Sequence, residues 1–168
     1  MPNPVKQGTR NNVVGHDFEQ TVATWAKYYF RDHAPTAVTF AERARGCVCA
    51  IPYDVDVRVN FKTGGILGFL QDENDVWIEC KYKTNNNVKR ADIQKLILSA
   101  QDVWRGYKKD ISRGYNALVM ATNKDFDGDA LNLANSQGVL CVVFKDRISV
   151  VSNAPGWLEE PAWLPKED

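Results

Sequence analysis

Two short stretches constrain this chain more than any others, YDVDV at residues 53–57 and WIECKYK at residues 77–83. Around the second, Val76, Ile78, Cys80 and Tyr82 alternate with Trp77, Glu79, Lys81 and Lys83, a period of two that fits a β-strand with one apolar and one charged face. Around the first, Val55, Val57 and Val59 alternate with Asp54, Asp56 and Arg58. Neighbouring strands of this kind bring carboxylates and an ammonium to one spot, which is a donor set for a divalent cation. A chain that pairs them must build a sheet, and its remaining segments must cover it.

The chain has 168 residues, 44% of them hydrophobic, enough for one core and too few for two ordinary domains. Lys plus Arg and Asp plus Glu both number 21, so a polyanion-binding surface has to come from uneven placement of charge. The opening MPNPVKQGTRNN lacks the apolar run of a signal peptide, and no later segment approaches the roughly 18 apolar residues of a membrane span. A soluble, cytoplasmic protein with no membrane partner is expected. Cys80 and Cys141 occupy strand-like apolar positions and Cys47-x-Cys49 lacks a second ligand pair at zinc-finger spacing, so buried free thiols are expected.

In chain order, residues 1–12 read as a flexible N-terminal arm, 13–152 as the domain and 153–168 as a C-terminal arm. A helix is predicted to start between Asn12 and His16 and to end near Asp32 to Pro35, with Val14, Phe18, Val22, Trp25 and Tyr29 as its buried stripe and Glu19 beside it. Two β-type runs follow, at 37–40 and 47–51. FKTGGILGFLQDEND reads as a wide hairpin connection, with Gly64-Gly65 and residues 72–75 as turn signals. VKRADIQKLILSAQDVWRGYKK is the second long helix, with Asn87 as N-cap and Ile93, Leu96, Ile97, Ala100, Trp104 and Tyr107 facing inward. Basic residues gather around it: Lys81, Lys83, Lys89, Arg90, Lys95, Arg105, Lys108 and Lys109, against Asp92 and Asp102 only. Gln94, near the helix start, can face a site or a phosphate.

Residues 116–122 and 139–144 are apolar runs of buried-strand type, with a short helix at 128–137 between them that ends at Gly138. Strand, helix, strand with short joints makes a crossover, so part of the sheet should be parallel. Residues 147–152 should form a final edge strand. The tail carries Trp157 and Trp163 and should lie across the body or a partner subunit.

Hydrolysis of a phosphodiester needs an activated water, a counter-charge for the phosphoryl oxygens and help for the leaving oxygen. Mg²⁺ takes oxygen ligands and keeps several waters, so an Asp on one strand and a Glu on the next suffice, completed by a backbone carbonyl. A lysine two residues beyond the Glu faces the same place. Histidine-based nucleases fit less well, because His16 and His33 flank the first helix, and no Gly-rich phosphate loop is present.

An acidic residue on one strand and Glu-x-Lys on the next, between a helix with an early Glu and a following helix, resembles the PD-(D/E)xK nuclease superfamily. ECKYK, VKRADIQKLILSAQDV and FDGDALNLANSQGVLCVVF are similar to Mrr-type restriction endonucleases and Holliday-junction resolvases. The resemblance implies an α/β fold with a restriction-endonuclease-like αβββαβ core, a mixed central sheet flanked by helices, and hydrolysis of DNA with Mg²⁺, or Mn²⁺ in its place. By position it implies Asp56, Glu79 and the carbonyl of Cys80 as metal ligands, Lys81 as the catalytic lysine, Glu19 as the first-helix glutamate and Gln94 as the polar residue of the next helix. Asp54 is the alternative to Asp56, since both acids are expected on one face. Lys83, Lys89, Arg90 and Lys95 are the expected contacts to DNA. Symmetric cutting of two strands favours a homodimer. The competing reading is a DNA-binding module that keeps the fold without catalysis, held by the same basic helix.

Overall fold

The computed structural model describes residues 4–30, 35–63, 72–152 and 162–165. Along the chain run α1 (Pro4–Tyr29), β1 (Pro35–Ala44), β2 (Tyr53–Thr63), β3 (Asp72–Lys81), α2 (Arg90–Tyr107), β4 (Ala117–Thr122), α3 (Gly128–Gln137), β5 (Leu140–Phe144) and β6 (Ile148–Val150). The six strands form one sheet in chain order. Pairs β1–β2, β2–β3 and β5–β6 are antiparallel, whereas β3–β4 and β4–β5 are parallel. The parallel joins are the two that contain α2 and α3, because a parallel neighbour requires a connection long enough to return the chain to the same end. The αβββαβ core is therefore present, with a mixed sheet flanked by helices and extended by α3, β5 and β6.

Both faces of the sheet are covered. On one, α1 sets Phe18, Val22, Ala23, Ala26 and Phe30 against Val57, Val59, Val76, Ile78, Val119 and Val142. On the other, α2 and α3 set Ile93, Leu96, Ala100, Val103, Ala130 and Ala134 against Trp77, Leu118, Met120, Cys141 and Val143. Every residue of β4 and β5 is buried, which is why these strands read as unbroken apolar runs instead of alternating ones. Each buried Val, Leu, Met or Phe among them contributes roughly 1.5–3 kcal/mol by leaving water.

Several local expectations are corrected. Helix α1 begins at Pro4, two to three turns before the expected start; proline suits a first helical turn, where no backbone N–H donor is needed. Its buried face is centred on Val22, Ala26 and Phe30, while Trp25 and Tyr29 are only partly covered. Residues 47–51 are a loop and not a strand. Residues 72–75 belong to β3 and not to a turn, so the connection is 64–71, which with its Gly64-Gly65 lies outside the described residues. Lys89, not Asn87, occupies the N-cap of α2, and Asp92 accepts its backbone N–H at 3.0 Å. Val103 is buried where Tyr107 was expected. In the tail, Trp163 is fully buried in the α2-side core and its carbonyl accepts from Gln101 Nε2 at 2.7 Å, whereas Trp157 lies outside the described residues.

Candidate active site

Pairing between β2 and β3 runs from Thr63–Asp72 to Val57–Ile78 and stops there. Beyond that point the Cys80 N–H has no backbone partner on β2, and Asp56 Oδ2 accepts it instead at 2.7 Å. On β1, Phe40 pairs with Val57 and Glu42 with Val55, so Ala41 falls opposite Asp56, and Ala41 has φ 48°. A left-handed alanine costs about 1–2 kcal/mol and marks a local distortion of the sheet edge. The inside-outside alternation of β2 breaks at the same place, since Val57 and Val59 pack under α1 while Val55 packs under α2. The two acids consequently part company. Asp54 has a side chain 74% exposed and pairs with Arg43 Nε at 3.3 Å, whereas Asp56 is turned into the opening between the strands.

Glu79 and Lys81 project from β3 on the side that buries Trp77, and Lys81 Nζ donates to Glu79 Oε1 at 2.6 Å, a short charge-assisted bond. Together with Asp56 they line a cleft of about 260 Å³, whose other walls are Tyr53, Asp54, Trp77 and Cys80 from the sheet and Lys95, Leu96 and Ser99 from α2. One end of the cleft is thus acidic with a fixed ammonium, and the helix wall supplies a second cation.

Burial, and then the neighbouring charge of Glu79, push the Asp56 carboxyl up to about 7, although the Cys80 N–H pulls the other way. Glu19 of α1, hydrogen-bonded to His16 at 3.4 Å, is near enough to add to that push. For Lys81, burial works against the charged form, but Glu79 outweighs it and the ammonium is held above its ordinary range. The Cys80 thiol is raised well above its ordinary value, first by burial and then by Asp56. The side chain packs against the α1-side core, on the face of β3 opposite Glu79 and Lys81.

Not every expected residue reaches the cleft. Gln94 is exposed on α2 and is not among the cleft walls, while its neighbour Lys95 is. Lys83 is tied to Asp92 at 3.3 Å, and its backbone N–H donates to Asn123 Oδ1 at 2.7 Å. Lys89 and Arg90 are exposed at the start of α2. Among the described residues, no group of three or more His, Cys, Asp or Glu side chains gathers closely enough to hold a metal ion. No helix among the described residues is long and apolar enough to cross a membrane.

No protein-family model matches the chain, and no curated protein matches it. Two solved structures resemble it. One is a protein of unknown function, AF1548, with a TM-score of 0.51 and 17% identity, covering 74% of this chain and 56% of the other. The other is the MspJI restriction endonuclease in complex with a 27-mer oligonucleotide, with a TM-score of 0.47 and 16% identity, covering 75% of this chain and 25% of the other. At these identities the likeness to AF1548 speaks to the fold alone. This chain spans about half the length of AF1548 and a quarter of the restriction endonuclease.

Tyr53, Ser99 and Trp77 are cleft residues that the sequence did not single out for a site. A signal existed for Ser99, which follows Lys95 by four residues and so shares its helix face. By alternation alone Trp77 belongs to the charged strand face. Yet it is 1% exposed, and its Nε1 has no hydrogen-bond partner among the described residues.

Proposed function

We propose that this protein is a Mg²⁺-dependent endonuclease that hydrolyses DNA phosphodiester bonds in the cleft between β3 and α2. The observation that carries this reading is the meeting of Asp56, Glu79 and Lys81 where β2 and β3 stop pairing. Two carboxylates, one of them driven up to about 7 by burial and by the other's charge, form a site that gains from a cation. The donors are oxygen, and the Cys80 thiol lies among the apolar side chains on the other face of β3, so the set suits a hard ion that keeps its waters better than it suits zinc. Asp56 and Glu79 would hold the ion. The carbonyl of Cys80 would be the third protein oxygen, since in a strand it leaves on the same edge as the N–H that Asp56 takes. When bound, the ion would supply a water more acidic than bulk water and a counter-charge for the phosphoryl oxygens.

The remaining work falls to this chain's own side chains. Lys81 keeps its proton and, lying beside Glu79, orients the attacking water or offsets the charge of the phosphate. Lys95 faces it from α2 and can bind the adjoining phosphate. Glu19 reinforces the negative end from behind. Mn²⁺ should substitute for Mg²⁺, having the same taste for oxygen ligands.

The test is a cleavage panel with plasmid, methylated plasmid, single-stranded DNA, a four-way junction and RNA. Cutting of DNA is expected with Mg²⁺ or Mn²⁺, with none in EDTA and none in Glu79→Ala. Cleavage that survives Glu79→Ala removes the assignment, and binding without any cleavage turns the protein into a DNA-binding module of the same fold.

A further inference from the structure

The loop that was expected to be a strand, residues 47–51, is held in an unusual way. Its backbone N–H groups at Cys47, Val48 and Cys49 all donate to the carboxylate of Asp102 on α2, at 3.1, 2.8 and 3.0 Å. The Tyr53 hydroxyl adds a fourth bond at 3.0 Å. Close approach is built in from both sides. A side chain at Gly46 would place its Cβ inside the Asp102 carboxylate, and one at Gly106 of α2 would meet Ser112 Oγ at 2.9 Å and the Arg45 carbonyl at 3.1 Å. With its backbone donors turned inward to the carboxylate, the loop turns its side chains outward: Val48 is 81% exposed and Ile51 75% exposed.

Two aliphatic side chains exposed on a loop whose backbone is pinned at residues 47–49 are poorly explained by stability, because burying either would be favourable. Their position supplies a reason. Tyr53 and Asp54, which follow the loop, line the cleft, and Asp102 lies one helical turn beyond Ser99, which also lines it. Exposed Arg45 precedes the loop, as does exposed Arg43, whose guanidinium a phosphate would have to share with Asp54 at 3.3 Å. Cations beside a rigid apolar tip match the chemistry of a duplex, with phosphates for the arginines and a base step for the aliphatic wedge.

We infer that the loop at residues 47–51 is a wedge that inserts Val48 and Ile51 between base pairs of duplex DNA next to the bond in the cleft. This rests on the DNA-cleaving reading above, and it adds that the substrate is bent or unstacked when bound. Unstacking a perfect duplex is costly, so mismatched or distorted duplexes should bind more tightly than perfect ones.

The test uses the full chain carrying Glu79→Ala, which is expected to bind without cutting, and duplexes with 2-aminopurine placed stepwise along the site. Binding is followed by anisotropy, and unstacking by 2-aminopurine fluorescence. A several-fold rise in fluorescence is expected at one or two adjacent positions, and Val48→Ser with Ile51→Ser should remove it while binding weakens by no more than about tenfold. Both residues are exposed, so an unchanged thermal midpoint should show the double variant to be folded. Bound DNA with no fluorescence rise overturns the wedge and leaves the nuclease reading standing, as does a rise that persists in the double variant. A loop that instead joins two copies of the chain, seen as a dimer lost in the double variant, also overturns it. Failure to bind DNA at all overturns the nuclease reading and the wedge together.

Discussion

Asp56 shows how one carboxylate can carry both a cost and a use. Its carboxyl titrates near 7, against an ordinary value of 3.8, chiefly because it is buried and next because Glu79 is close. Between those two values the folded chain binds more protons than the unfolded one, so stability is greatest in acid and falls as pH rises through about 7. In EDTA, Asp56→Asn should therefore be more stable than the parent at pH 8 by ~1–3 kcal/mol, with the gain shrinking towards pH 4. Urea unfolding across that range checks it, and a gain independent of pH would mean that the charge is not what burial penalises. The same variant should lose cleavage while DNA binding survives or tightens, because a negative charge facing phosphate has gone. Asp54→Asn, altering an exposed ion pair with Arg43, should leave cleavage within a few-fold of the parent; if Asp54→Asn is the inactive variant instead, the roles of the two acids are reversed.

At the scale of elements, the join between α2 and the loop before β2 depends on Asp102. Burial would push its carboxyl up, but the N–H groups of Cys49 and Val48, the Tyr53 hydroxyl and the Cys47 N–H outweigh that and hold it below the ordinary range. An asparagine offers one acceptor and an unwanted donor where four donors converge. Asp102→Asn should cost ~2–4 kcal/mol at neutral pH. The stabilising effect of the depressed carboxyl is present above the ordinary carboxylate range and lost as pH falls through its folded value, so the difference between variant and parent should narrow in acid. Denaturant unfolding at pH 7 and in acid tests both statements. The same bonds explain why 47–51 is not a strand: donors committed to a side chain are not free for a sheet ladder.

Across the whole molecule, a second buried polar cluster ties the hairpin to the rest of the sheet. Arg58 Nε donates to Asp75 Oδ1 at 2.6 Å, Asn60 joins the same oxygen at 3.1 Å, and Arg58 also reaches Glu42 of β1 at 3.1 Å. Removing Asp75 leaves the buried Arg58 guanidinium with Glu42 alone among the described residues and takes an acceptor from Asn60, so Asp75→Ala should lower stability by ~2–4 kcal/mol, measurable by thermal or denaturant unfolding. Much of this architecture was legible in the order of residues. Period-two and apolar runs placed β2, β3, β4 and β5, period-3.6 stripes placed α1 and α2, and the two-residue spacing of Glu79 and Lys81 placed both on one side of β3, because backbone geometry ties those spacings to a face. Pattern alone could not separate Asp54 from Asp56, since that depends on where β2 and β3 cease to pair and on the distortion opposite Ala41. Nor could it bring Asp102 to Cys47, Val48 and Cys49, more than fifty positions away, or choose Lys95 over Gln94 for the cleft. The sequence by itself determined the strands, the helices and the Glu79-x-Lys81 pair, because these follow from local periodicity. Only the tertiary structure decided which carboxylate joins that pair and which loop stands beside it, because both depend on where separate segments meet.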